Sequence, residues 1–157
     1  MKRSCYTLDE LSRLAREYPV SRDLPERFDS QHYTRTTIYR DEDVEVVVIC
    51  FAEGQTTSVH DHEGSNCVVR VLRGKMLENH FVESRNGQLD LLGNHDLRAG
   101  DVSGLDGEQI HQLCNLDPNG TVLLNFYSPP FKMNVPQQST FDRRAASSSA
   151  VSQRHGR

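Results

Sequence analysis

The chain has 157 residues, 36% of them hydrophobic and 25% charged, with a formal net charge of -4; that length fits one domain with a real core and is too short for two ordinary ones. The charge balance gives no reason to expect nucleic acid or an anionic membrane as a partner, and the longest strongly apolar run, Val46 to Phe51, is far too short to span a bilayer. The N-terminus MKRSCYTLDELSRLAREY has early cations but no apolar signal-peptide core, so a cytoplasmic location is expected. Cys5, Cys50, Cys67 and Cys114 lie far apart with no Cys-x-x-Cys pair and are expected to be reduced thiols rather than a disulfide framework or a zinc knuckle.

Thr7 followed by Glu10 is a capping box, and Leu8, Leu11, Leu14, Ala15 and Tyr18 recur at helical spacing until Pro19, which predicts one amphipathic helix opening the chain. Residues 1–28 are therefore expected to be a helical segment packed on the domain that follows. After Asp29 the texture changes to short segments rich in Val, Ile, Tyr and Phe: Tyr33 to Tyr39, Val44 to Phe51, Cys67 to Leu72, Met76 to Val82, Leu89 to Leu92, Ile110 to Cys114 and Val122 to Tyr127. Each reads as a strand. Between them stand Glu53-Gly54, Arg73-Gly74, Asn86-Gly87, Ala99-Gly100-Asp101 and Asn119-Gly120, turn chemistry at the short regular intervals of a β-barrel or sandwich. The mainly-β domain is placed at 29–141. The stretch RRAASSSAVSQRHGR from Arg143 lacks aromatics and, apart from Val151, large aliphatics, so residues 142–157 are expected to be a flexible tail.

His60-Asp61-His62 sets two imidazoles two residues apart, and in a strand that spacing points both to one face, where they converge on one ion. A lone His-x-His is a weak signal, but its surroundings are informative. Gly54, His60, His62, Cys67 and Gly74 stand at the spacing of the first cupin motif, with cysteine where a glutamate ligand usually stands, and Gly100, His111 and Asn115 resemble the second motif, with Asp106 in place of its proline. The resemblance implies a cupin (jelly-roll) β-barrel with His60, His62 and His111 as metal ligands. Three neutral imidazoles leave a divalent ion its full charge and open positions, which favours an incoming thiolate. Zinc is compatible with three histidines as well, and spacing does not choose the metal. His32, His80, His95 and His155 have no partners of this kind in the sequence and read as solvated surface residues.

The segments FDSQHYTRTTIY, EGQTTSVHDHEGSNCVVRVLRGKMLENHF, IHQLCN and NFYSPPF, spanning Phe28 to Phe131, resemble the cysteine dioxygenase family. The resemblance implies one non-haem Fe(II) per chain, O2 as co-substrate, no organic cofactor, and addition of both oxygen atoms to the sulfur of L-cysteine to give cysteine sulfinic acid in cysteine catabolism. Arg35 matches the arginine that binds the substrate carboxylate, a task suited to its bidentate, permanently charged fork, and Tyr33 shares its face. Cys67 and Tyr127 match the pair that forms a thioether crosslink beside the iron in some members. Read without the family, Cys67 is a small buried hydrophobe and Tyr127 a core aromatic.

One departure bears on mechanism. The animal enzymes carry serine and histidine four and two residues before that tyrosine, and this chain has Leu123 and Asn125; Asn125 still faces the same side as Tyr127 and is, with Arg35 and Tyr33, a candidate substrate-binding residue, but it does not titrate near neutral pH. The apolar strand of longer relatives after the SPPF stretch is also missing, which suggests a more open mouth. Alternatives therefore include a dioxygenase for another small thiol such as mercaptopropionate, a metal-binding cupin without turnover, and a zinc-dependent hydrolase or isomerase. The partner expected is a small-molecule thiol, and the chain is expected to act as a monomer.

Overall fold

The computed structural model describes residues 5–131. The expected tail at 142–157, and the end of the expected barrel beyond 131, lie outside the described residues.

Helix α1 spans Leu8–Glu17 and begins as expected: Thr7 Oγ1 accepts from the backbone N–H of Glu10 at 3.2 Å, and Glu10 Oε2 accepts from that of Thr7 at 2.9 Å. Such a cap stabilises the helix by about 1 kcal/mol. Tyr18, ahead of Pro19, turns to extended backbone and ends it. Two carbonyls left open at that end, of Ala15 and Tyr18, accept from Arg70 Nη1 at 3.0 and 2.9 Å, so a strand side chain satisfies the helix terminus.

Eight strands follow: β1 Thr34–Arg40, β2 Glu45–Phe51, β3 Asn66–Arg73, β4 Lys75–Glu83, β5 Leu89–Arg98, β6 Val102–Leu105, β7 Ile110–Asn115 and β8 Thr121–Ser128. They form a five-stranded sheet in the order β1-β2-β8-β3-β6 and a three-stranded sheet in the order β5-β4-β7, all pairs antiparallel. Glycines 54, 74, 87, 100 and 120 of the five predicted turns all take positive φ, where a side chain would be strained.

Alternation along the strands divides the apolar residues between two cores. Val47, Ile49, Phe51, Cys67, Val69, Val71, Leu123 and Tyr127 meet Met76, Leu97 and Leu113 of the facing sheet inside the barrel. Val46, Val48, Cys50, Val68, Val122, Leu124 and Phe126 point the other way and pack beneath Leu11 and Ala15 of α1. The central strands β2 and β8 are therefore buried on both faces, which explains their continuous apolar runs. Burying Leu11 completely contributes roughly 2 kcal/mol.

The structure differs from expectation at three places in the fold. Strand β6 is an additional element, β5 runs on to Arg98 rather than ending at Leu92, and His60 and His62 lie outside the named strands. Those histidines sit on the β2–β3 loop, which is held as an isolated bridge to β7. All four cysteines are free, with Cys50 and Cys67 buried.

Candidate metal centre

The β2–β3 loop delivers two histidines because its backbone is tied to the loop before the third. His60 N–H donates to the His111 carbonyl and His111 N–H to the His60 carbonyl, both at 2.9 Å. Two residues on, the Gly107 carbonyl accepts from His62 N–H at 3.3 Å and from Gly64 N–H at 3.1 Å. A Cβ built on Gly107 would stand 2.2 to 2.6 Å from backbone atoms of Gly64, so only glycine fits where the two loops meet. Convergence of His60 and His62 is thus a product of this latch and not of the strand alternation expected for them.

The three rings gather closely, with centroids 4.6 Å apart for His60 and His111 and 4.9 Å apart for the other two pairs. Their ligand nitrogens lie within 4.8 Å of one another, and Nε2 of His60 is 3.2 Å from Nε2 of His111. Two nitrogen ligands held on one first-row ion by bonds of about 2.1 Å are about 3 Å apart, so the residues present fit a divalent ion. Burial, and then the neighbouring His111, push His60 down to about 3; the same causes hold His62 well below its ordinary value. Their lone pairs are free for a cation. The Nδ1 of His60 lies 2.8 Å from the Ser58 carbonyl, which leaves Nε2 to face the cluster.

Beneath His111 lies a residue that the sequence did not single out. Glu78 is fully buried in β4, and its Oε2 accepts from Nδ1 of His111 at 3.0 Å. Burial alone would raise its pKa, but the hydrogen bond and charge of His111, then the Ser103 hydroxyl, hold it at about 2. A carboxylate behind a ligating histidine fixes tautomer and ring orientation. The other oxygen, Oε1, accepts from Ser103 Oγ at 2.6 Å and lies 3.1 and 2.9 Å from Nε2 of His80 and His95. His80 and His95 are therefore not the separate solvated side chains expected of them. The signal in the sequence was Glu78-x-His80 on one strand face; the contribution of His95 rests on a register that the sequence does not display.

The remaining predicted residues line one wall. Arg35 on β1 donates from Nη1 to Tyr127 Oη at 3.2 Å and lies over the Tyr127 ring, its Cζ 5.3 Å from the centroid. Asn125 Nδ2 donates to the same Oη at 3.0 Å, confirming that Asn125 and Tyr127 face one side. The Oδ1 of Asn125 is buried and has no hydrogen-bond partner among the described residues. Tyr33, just before β1, stacks on Phe51 with centroids 4.9 Å apart. The Tyr127 ring lies 5.8 Å from His62, and Phe131 flanks both. Cys67 on β3 is the register partner of Tyr127 on β8, and burial pushes the thiol of Cys67 and the phenol of Tyr127 up.

The family model for cysteine dioxygenase type I matches residues 8–144. Over 110 residues the chain is 27% identical to cysteine dioxygenase type 1 of Homo sapiens, covering 67% of this chain and 55% of that one. Over 135 residues it is 29% identical to the Danio rerio protein of that name, covering 80% of this chain and 63% of that one. The chain thus spans a little over half the length of these curated relatives. Among solved structures, similar folds include a cupin superfamily protein from Desulfitobacterium hafniense, with a TM-score of 0.54, 17% identity and coverage of 71% of this chain and 94% of that one. Another is an uncharacterized conserved protein with a double-stranded beta-helix domain from Klebsiella pneumoniae, at 0.53, 19%, 79% and 88%. The barrel described above is the same architecture.

Proposed function

The chain belongs to the cysteine dioxygenase type I family, and from that premise we propose that it is an Fe(II)-dependent thiol dioxygenase that adds both atoms of O2 to the sulfur of L-cysteine, giving cysteine sulfinic acid. One observation carries the reading: a half-buried arginine and a buried tyrosine, hydrogen-bonded to each other, stand against a cluster of three converging histidines. An acid-bearing thiol needs that pairing of a carboxylate anchor with a thiolate-binding cation.

His60, His62 and His111 are the assigned ligands. When bound, the ion supplies Lewis acidity toward the thiol and a meeting point for thiol and oxygen. The protein's own residues do the rest. Arg35 holds the carboxylate with its free guanidinium N–H groups, while Tyr33 and Phe51 close the wall beside it. Tyr127 Oη already accepts two hydrogen bonds, from Arg35 and Asn125, so its own hydrogen is left to donate toward the reacting atoms. Asn125 Oδ1, buried and unpartnered among the described residues, is assigned as acceptor for the substrate ammonium. Strand register sets Cys67 opposite Tyr127, which supports assigning this pair to the thioether crosslink.

We extend the proposal to a monomer acting in the cytoplasm on a small thiol, with no organic cofactor. The deciding experiment is an aerobic incubation of the Fe(II)-loaded chain with L-cysteine, mercaptopropionate and cysteamine in parallel, following oxygen uptake and sulfinate. Sulfinate from cysteine at the highest kcat/KM is expected. Turnover of another thiol in preference changes the substrate, and no turnover with any of them removes the enzymatic reading.

A further inference from the structure

A second cluster of metal-ligating atoms lies beside the first and is open to solvent. Glu78 and His80 alternate on β4 and so share the barrel-facing side, and His95 on β5 is the register partner of Glu78. Glu78 Oε1, His80 Nε2 and His95 Nε2 all fall within 4.8 Å of one another, with Oε1 at 3.1 and 2.9 Å from the two nitrogens. The imidazoles are 4.9 Å apart between centroids and inclined by only 31°. Exposure rises from 0% at the Glu78 side chain through 19% at His80 to 50% at His95, so the cluster runs from the interior to the surface along the edge of the smaller sheet.

Two imidazoles and one carboxylate oxygen are a common donor set for a borderline divalent ion, and a tetrahedral ion with bonds of about 2.0–2.1 Å spaces its ligand atoms about 3.3 Å apart. The two spacings from Glu78 Oε1 to the imidazole nitrogens are already within a few tenths of an ångström of that, and the two nitrogens lie within 4.8 Å of each other. Ser103 Oγ, 2.6 Å from the same carboxylate oxygen, steadies it from the facing sheet. We propose that Glu78, His80 and His95 form an outer binding site for a divalent transition-metal ion of the zinc type, separate from the three-histidine centre. Glu78 serves both sites, Oε1 toward the outer ion and Oε2 toward the His111 ring. Two ions would then lean on one buried carboxylate, and the outer one would be exchangeable because half of the His95 side chain is in solvent.

The test uses the full chain, stripped with chelator and titrated with Zn2+ by calorimetry and with Co2+ by visible absorption, without substrate or turnover. Two bound equivalents are expected. The double variant His80→Gln, His95→Gln keeps hydrogen-bonding amides toward Glu78 and should lose one equivalent; His60→Gln should lose the other and retain the outer one. His95→Gln alone, at a half-exposed position, gives the same loss if the double variant folds poorly by circular dichroism. Fewer than two equivalents in the native chain, or two that persist without His80 and His95, overturn the proposal. A single equivalent abolished by His60→Gln does so while leaving the three-histidine centre and the proposed function standing.

Discussion

Glu78 and His111 pair as a carboxylate behind an imidazole, 3.0 Å apart and both buried in the space between the sheets. Because Nδ1 of His111 is committed to Glu78, only Nε2 is left to face His60 and His62. Glu78→Gln preserves shape and removes charge, and it should weaken ion binding at the three-histidine centre on the order of 10- to 100-fold. Competition with a chromophoric chelator measures this; an unchanged affinity would strip Glu78 of its orienting role.

Arg35→Ala removes the guanidinium that touches Tyr127 Oη and the proposed carboxylate anchor with it. Loss of charged hydrogen bonds on this scale should lower kcat/KM for cysteine on the order of 10- to 100-fold, mostly through KM. Cysteamine, which has no carboxylate, should be affected far less. Equal losses for both thiols would show Arg35 to be structural.

The metal-free chain should lose stability as pH falls. The folded His60 titrates near 3 against an ordinary 6.5, and His62 is shifted the same way, so between those values the unfolded chain holds more protons than the folded one. Their contribution is complete above about pH 6.5 and drains away below it, by at most about 1.4 kcal/mol per pH unit for each histidine. Glu78, held at about 2 against 4.5, adds a loss of the same sign below its ordinary value. Melting temperatures of the stripped chain from about pH 7 to about pH 5 should fall, and more gently in His60→Gln; a flat profile in the native chain contradicts this account.

Cys67 opposite Tyr127 should close a bond from Sγ to a ring carbon during turnover, with O2 accepting the two hydrogens removed. Intact mass spectrometry after incubation with Fe(II), cysteine and air should show a species lighter by two hydrogen atoms, absent from Cys67→Ala and from Tyr127→Phe incubated without Fe(II). Mass unchanged in the native chain after many turnovers means that the pair stays unlinked.

Gly107→Ala puts a methyl group into the backbone of Gly64. The loop that bears His62 must move, so affinity at the three-histidine centre and thermal stability should both drop, the latter by 1 to 3 kcal/mol in order of magnitude. Gly93→Ala, where an added Cβ meets nothing, is the control and should leave metal affinity unchanged.

The residues assigned to the site were legible where chemistry and local spacing coincide: His60, His62, His111, Arg35, Cys67 and Tyr127 carry motif positions, and the structure brings them to one region. Their support was not legible. His60 and His62 read as strand residues because alternation is the simplest way to aim two side chains together, whereas a glycine-to-glycine latch does it here. Strand β6, Val102–Leu105, has no strand signature because it is short and holds Ser103 and Gly104; a Cβ on Gly104 would stand 3.1 Å from Leu8 of the helix above, so close packing rather than strand propensity explains its composition. Strand β5 runs past the apolar segment Leu89 to Leu92; it pairs on one side only and is exposed over most of its length, which leaves no apolar alternation in its second half. The gathering of His80 and His95 on Glu78 depends on cross-strand register, which no local pattern encodes.

The β2–β3 loop rises from the larger sheet, and His111 sits on the smaller one. An ion shared among their three imidazoles is consequently a rivet between the two layers of the barrel. Its departure removes one tie between the layers and leaves the backbone latch, and a ligand bound only by the folded state stabilises that state. The amount of this protein standing in a cell should then follow the supply of its metal.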